Sequence, residues 1–128
     1  MDRGGLTVLV VDDYADTREF IRTLLEMKGC RVFEAANGRE AVNIAANTVL
    51  SFILMDLEMP VLNGFEATRE ILAHQKTVDV PIIAFSANCS QERQQRALDV
   101  GCRECIPKPV DFSRIDDLIN QYSSNAMD

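Results

Sequence analysis

An α/β fold, a doubly wound sandwich with a five-stranded parallel sheet and helices on both faces, is predicted by three features of this 128-residue chain. Short apolar runs rich in β-branched residues recur along it, and segments with helical spacing alternate with them. Three of the runs are apolar without alternation, the pattern of a strand covered on both faces. The length suits one domain built on one core.

The strand candidates are Val8–Val11, Arg31–Phe33, Phe52–Met55, Pro81–Phe85 and a weaker Cys105–Ile106. Phe20, Ile21, Leu24 and Leu25 place one apolar stripe on the first helix, and Gly29 is positioned to end it. Asn37 caps a second helix carrying Ala41, Val42 and Ala45, and a third begins near Gly64 with Phe65, Thr68, Ile71 and Leu72. Ser90 caps a fourth that carries Ala97 and Leu98 and stops at Gly101, and Asp111 caps a fifth with Ile115, Leu118, Ile119 and Tyr122. Five βα units of this size call for right-handed crossovers and a parallel sheet.

Composition removes several function classes. With 20 acidic against 13 basic residues the net charge is -7, which argues against direct nucleic-acid binding. The run Leu6–Val11 is too short for a signal-peptide core, and no stretch approaches the length of a spanning helix. A cytoplasmic protein without membrane contact is expected, with Cys30, Cys89, Cys102 and Cys105 as reduced thiols.

In a parallel α/β sheet, sites form beyond the carboxyl ends of the strands. The residues that follow the runs are Asp12 and Asp13 after the first, Asp56 after the third, Ser86 after the fourth and Lys108 after the fifth. Folding alone gives no reason to end the first and third strands of a parallel sheet with acidic residues, because neighbouring carboxylates repel and lose hydration there. Such a cluster calls for a cation. A few carboxylates with room for water and a phosphate oxygen suit Mg²⁺.

The chain resembles a receiver domain of the two-component response regulator family. The matching pieces are Val10-Val11-Asp12-Asp13, Met55-Asp56-Leu57-Glu58-Met59-Pro60 with Asn63-Gly64, Ser86-Ala87, and Lys108-Pro109, so the likeness covers nearly the whole length. It implies a flavodoxin-like sheet of order 2-1-3-4-5, one receiver domain over residues 1–128 without an output domain, and a cis bond at Lys108-Pro109. By the same resemblance, Asp56 takes a phosphoryl group from a histidine kinase or histidine phosphotransfer protein. Asp12, Asp13, Asp56 and the Glu58 carbonyl hold Mg²⁺, Lys108 pairs with the phosphoryl oxygens, and Ser86 moves to hydrogen-bond them. A downstream target protein then reads the change.

Two features depart from the pattern or mislead. Many relatives carry Tyr or Phe three residues before the active-site lysine, where this chain has Cys105, whose expected role is packing. Cys102 and Cys105 form a C-x-x-C, but it follows a helix stop and leads into a strand, so neither a redox motif nor a zinc site is expected. Glu58 and Asn88 are expected to face each other across the rim and to tune attack by water, with the Glu58 charge hindering it. Two other readings compete: a degenerate receiver that binds partners without phosphorylation, and an Asp-nucleophile phosphohydrolase suggested by Asp56-Leu57-Glu58.

Overall fold

The computed structural model describes residues 5–127. Five strands, β1 (Thr7–Val11), β2 (Arg31–Ala35), β3 (Phe52–Asp56), β4 (Ile82–Ser86) and β5 (Glu104–Pro107), form one sheet in the order β2-β1-β3-β4-β5. All four pairings are parallel. The helices between and after them are α1 (Ala15–Met27), α2 (Gly38–Asn47), α3 (Gly64–Leu72), α4 (Gln91–Val100) and α5 (Phe112–Met127).

The period of two along the strands divides the core into two layers. Val8, Val10, Phe52, Leu54, Ile83, Phe85 and Ile106 point to one face and pack against Ile21, Leu24 and Leu25 of α1 and Ile115, Leu118, Ile119 and Tyr122 of α5. Leu9, Val11, Ile53, Met55, Ile82 and Ala84 point to the other, beneath Ala41, Val42 and Ala45 of α2, Phe65 and Ile71 of α3, and Ala97 of α4. β3 and β4 are buried at every position, which is why their runs show no alternation.

The expected caps form. The side chains of Asn37, Ser90 and Asp111 accept from the backbone N–H groups of Glu40, Arg93 and Arg114, and Asn63 does the same for Glu66 at the start of α3. Gly101 ends α4 at φ 115°, a conformation that only glycine adopts without strain. Two apolar assignments fail. Phe20 is 50% exposed, meeting Phe112 edge to face at 6.4 Å, and Leu98 is 47% exposed. α1 and α4 each bury a narrower stripe than their apolar residues suggest.

The loop between β3 and α3 is packed tightly against the end of β3. Gly64 N–H donates to the Leu57 carbonyl at 3.2 Å, and a Cβ at residue 64 would lie 2.2 Å from the Asp56 carbonyl oxygen. Only glycine fits that approach. Gly64→Ala is therefore expected to cost about 3 kcal/mol, by displacement of the backbone at Asp56, against about 1 kcal/mol for loss of the neighbouring cap in Asn63→Ala. Urea unfolding of the two variants checks the order; a Gly64→Ala protein as stable as the parent would refute the close approach.

Candidate functional site

The site is built at the carboxyl edge of the three central strands. Because β1 lies beside β3, the residue after β1, Asp12, and the last residue of β3, Asp56, become neighbours, and both are buried. Asp13 sits beside them and is exposed. One carboxylate oxygen from each of the three falls within 4.8 Å of the others, and among the described residues no other trio of His, Cys, Asp or Glu ligand atoms does so.

Backbone donors hold the two buried carboxylates. Tyr14 N–H donates to Asp12 Oδ1 at 2.8 Å, and Glu58 N–H donates to Asp56 Oδ1 at 3.2 Å. Lys108 Nζ faces the remaining oxygens, 3.1 Å from Asp12 Oδ2 and 3.4 Å from Asp56 Oδ2. Its Nζ lies over the ring of Phe85, 5.0 Å from the centroid, and the Lys108-Pro109 bond is cis, as the resemblance implied. Lys108 N–H also donates to the Ser86 carbonyl at 2.9 Å, which carries the β4–β5 ladder up to the site.

Three carboxylates share one ammonium, and the imbalance is visible at Asp56. Its carboxyl is pushed up to about 7, first by burial and then by the Asp12 charge; Lys108 opposes this, and Asp13 adds a smaller upward push. Asp12 Oδ2 is buried and receives no well-formed hydrogen bond, despite the nearby ammonium. An orphaned buried carboxylate oxygen, aimed with two other carboxylates at one point, fits a hard divalent cation with oxygen ligands.

Ser86 closes the opposite side. It is fully buried, and its hydroxyl lies 2.9 and 3.1 Å from the two carboxylate oxygens of Glu58 and 3.1 Å from the Asn88 carbonyl. Arg93 of α4 forms an ion pair with the same Glu58 carboxylate, and its Nε donates to the Asn88 carbonyl at 3.0 Å. The expected facing of Glu58 and Asn88 is thus replaced: Asn88 turns its side-chain oxygen to Ser90 N–H at 3.2 Å, and Arg93 neutralises Glu58. The argument that the Glu58 charge repels an attacking water lapses with that pairing. Sequence reasoning missed Arg93 because it lies on an exposed, polar helix with nothing to single it out.

Between Asp56 and α3 the chain makes a γ-turn. Leu62 N–H donates to the Pro60 carbonyl at 2.8 Å around Val61, whose φ is 72°. A β-branched residue at positive φ is strained, and such strain clusters at functional loops.

Asp12, Asp13, Asp56, Glu58, Ser86 and Lys108, scattered over the sequence, therefore meet at one edge of the sheet. A sheet edge that gathers buried carboxylates, an ammonium and a hydroxyl defines a site for a divalent cation and a charged oxyanion. Residues 8–120 match the model of the response regulator receiver domain, and the chain belongs to that family. An uncharacterized 14.6 kDa protein of Leptolyngbya boryana is 34% identical, over 91% of this chain and 89% of its own. The phosphate regulon regulator PhoB of Pseudomonas aeruginosa is 36% identical over 82% of this chain, which corresponds to 46% of that longer protein. Among solved structures, the receiver domain of a Pseudomonas aeruginosa sensor histidine kinase, with magnesium coordinated in its active-site cleft, is 33% identical at a TM-score of 0.86, covering 93% of this chain and 98% of that one. A Saccharomyces cerevisiae response regulator's receiver domain, crystallised with a histidine phosphotransfer protein, is 30% identical at a TM-score of 0.88, covering 94% and 90%.

The raised Asp56 carboxyl has a consequence for stability. Between the ordinary carboxylate value and about 7, the folded state holds a proton at Asp56 that the unfolded state has lost. Stability of the metal-free protein therefore falls as pH rises through that window. Asp56→Asn removes the effect, and is expected to be more stable than the parent by about 2 kcal/mol at pH 7.5 and nearly equal to it at pH 4. Urea unfolding in a chelating buffer at the two pH values measures this; a gain of the same size at both would assign it to packing instead of charge.

Proposed function

We propose that this chain is the phosphoacceptor of a two-component or phosphorelay pathway, acting in the cytoplasm, with residues 1–128 as one receiver domain. The observation that carries the reading is the convergence of three carboxylates within 4.8 Å beneath Lys108. Among the described residues no helix is long and apolar enough to cross a membrane.

The donor is the phosphohistidine of a histidine kinase or a histidine phosphotransfer protein. A carboxylate oxygen of Asp56 attacks phosphorus, the P–O bond forms as the P–N bond breaks, and the departing imidazole takes up a proton. Asp12, Asp13, Asp56 and the Glu58 carbonyl would hold Mg²⁺, which when bound would supply positive charge against the phosphoryl oxygens. Lys108 supplies a second positive charge, already positioned against Asp56. Attack by water on phosphorus then breaks the P–O bond to Asp56, releasing inorganic phosphate and restoring the carboxylate, so the chain turns over its own modification.

Ser86 couples this chemistry to the surface. A hydroxyl donates once, and here it serves Glu58; bonding the phosphoryl group requires leaving that carboxylate. The release shifts the loop after β4 and the start of α4, and a downstream target protein reads the new surface. The phosphohydrolase alternative lacks support, because Glu58, the acid two residues from Asp56, is engaged by Ser86 and Arg93.

Incubation with acetyl phosphate and Mg²⁺ is expected to add one phosphoryl group to Asp56, seen by intact mass, and Asp56→Asn abolishes it. Asp13→Asn should keep the fold, since Asp13 is exposed, and weaken Mg²⁺ in a titration by at least tenfold. Label remaining on the Asp56→Asn protein, or unchanged Mg²⁺ affinity, would overturn the assignment. Glu58→Gln keeps the shape but weakens the hold on Ser86, and should raise the rate of modification about fivefold, about 1 kcal/mol in the barrier. A slower or equal rate would leave Ser86 without a latch.

A further inference from the structure

The C-x-x-C does not bring its two sulfurs together. Cys102 is buried and pairs with Thr68, Sγ to Oγ1 at 3.7 Å. Cys105 instead meets Cys89, a residue 16 positions earlier, with the two sulfurs 3.0 Å apart. Cys105 lies in β5 opposite Ala84 of β4. Cys89 lies in the loop that leaves β4, and its Sγ turns back to within 3.6 Å of the Ser86 carbonyl. Both are partly accessible thiols.

We propose that Cys89 and Cys105 are an oxidisable pair, whose reversible disulfide ties the Ser86 loop to β5. A disulfide needs its sulfurs about 2 Å apart, so they must close by about 1 Å. The loop supplies that movement, since Ala87 and Asn88 on its rim are exposed. The pair does not belong to a metal site, because the one cluster of three ligand atoms among the described residues is the acidic trio.

The oxidant is a peroxide. The Cys89 sulfur, as thiolate, attacks one peroxide oxygen, the O–O bond breaks, and water leaves after proton transfer, giving a sulfenic acid at Cys89. The Cys105 sulfur then attacks the Cys89 sulfur, gives up its proton and expels a second water. Two thiols and one hydrogen peroxide become one disulfide and two waters. The order of the two sulfurs follows from their surroundings. The Cys105 thiol is pushed up to about 12, chiefly by burial and then by the contact with Cys89, so it keeps its proton and acts second. A thiol reductant reverses the bond by exchange.

The effect of the bond rests on the phosphoacceptor reading. If Ser86 must leave Glu58 to reach a phosphoryl group, a link three residues further along the chain restrains that movement. Oxidation then acts on the step that modification uses, from outside the acidic pocket.

The test uses the full chain, reduced, freed of reductant, exposed to hydrogen peroxide and quenched with iodoacetamide. Peptide mapping should find one intramolecular link between Cys89 and Cys105, with an intact mass lower by two hydrogens and restored by dithiothreitol. Cys89→Ser and Cys105→Ser should each abolish it. Alkylation of both residues after peroxide, Cys89 halted as a sulfinic acid, or a link through Cys30 or Cys102 would overturn the proposal. Acetyl phosphate uptake by the oxidised protein should be at least threefold slower than by the reduced protein, and the Cys105→Ser rate should not respond to peroxide. A link with unchanged uptake would refute control of Ser86. A reduced protein that takes up no phosphoryl group would refute the phosphoacceptor reading and leave the disulfide standing.

Discussion

Two carboxylates buried side by side under one ammonium are the constraint around which this molecule is organised. Asp12 and Asp56 are neighbours only because β1 and β3 are adjacent, and they are dry only because helices cover both faces of those strands. Their mutual repulsion is offset by Lys108, which arrives from the edge strand and must cross β4 to do so. The Phe85 ring faces its ammonium, and the backbone bond from Lys108 to Ser86 fixes where the side chain begins. The sheet order, the aromatic at the end of β4 and the turn after β5 thus serve one electrostatic arrangement, which stays unsatisfied at Asp12 Oδ2.

Much of this was legible in the sequence, and the reasons are physical. Strands buried on both faces have no alternation to hide them, so β3 and β4 were plain. Cap residues announce themselves because the first-turn N–H groups need an acceptor, and Asn37, Ser90 and Asp111 were each found in place. The acidic residues stood out because strand ends are costly places for charge. Phe20 and Leu98 were misjudged since an apolar residue is cheap to leave exposed, whereas a buried polar one is not.

What the sequence concealed were contacts between side chains far apart in the chain. Arg93 reaches Glu58 across 35 positions' worth of intervening fold, and nothing in the local pattern of α4 marks it among its polar neighbours. Cys89 meets Cys105 because the loop after β4 curls back over the edge strand. The C-x-x-C spacing carries no such information: Cys102 and Cys105 border the same core layer, yet Cys102 pairs with Thr68 and Cys105 with Cys89, because the parallel strands β4 and β5 bring their ends together.

The two flanks of the site differ in compliance. On the α2 and α3 side, backbone bonds run from Gly38 to the Leu62 carbonyl and from Gly64 to the Leu57 carbonyl, and each glycine sits too close to its neighbour to admit a methyl group. On the α4 side, the loop is held to Glu58 by a hydroxyl and a guanidinium, contacts that side-chain rotation can undo. A load applied at Asp56 therefore meets a stiff wall in one direction and a yielding one in the other. Among the described residues around the site, the α4 flank can thus give way by side-chain rotation alone, whereas the α2 and α3 flank can give way only by moving backbone.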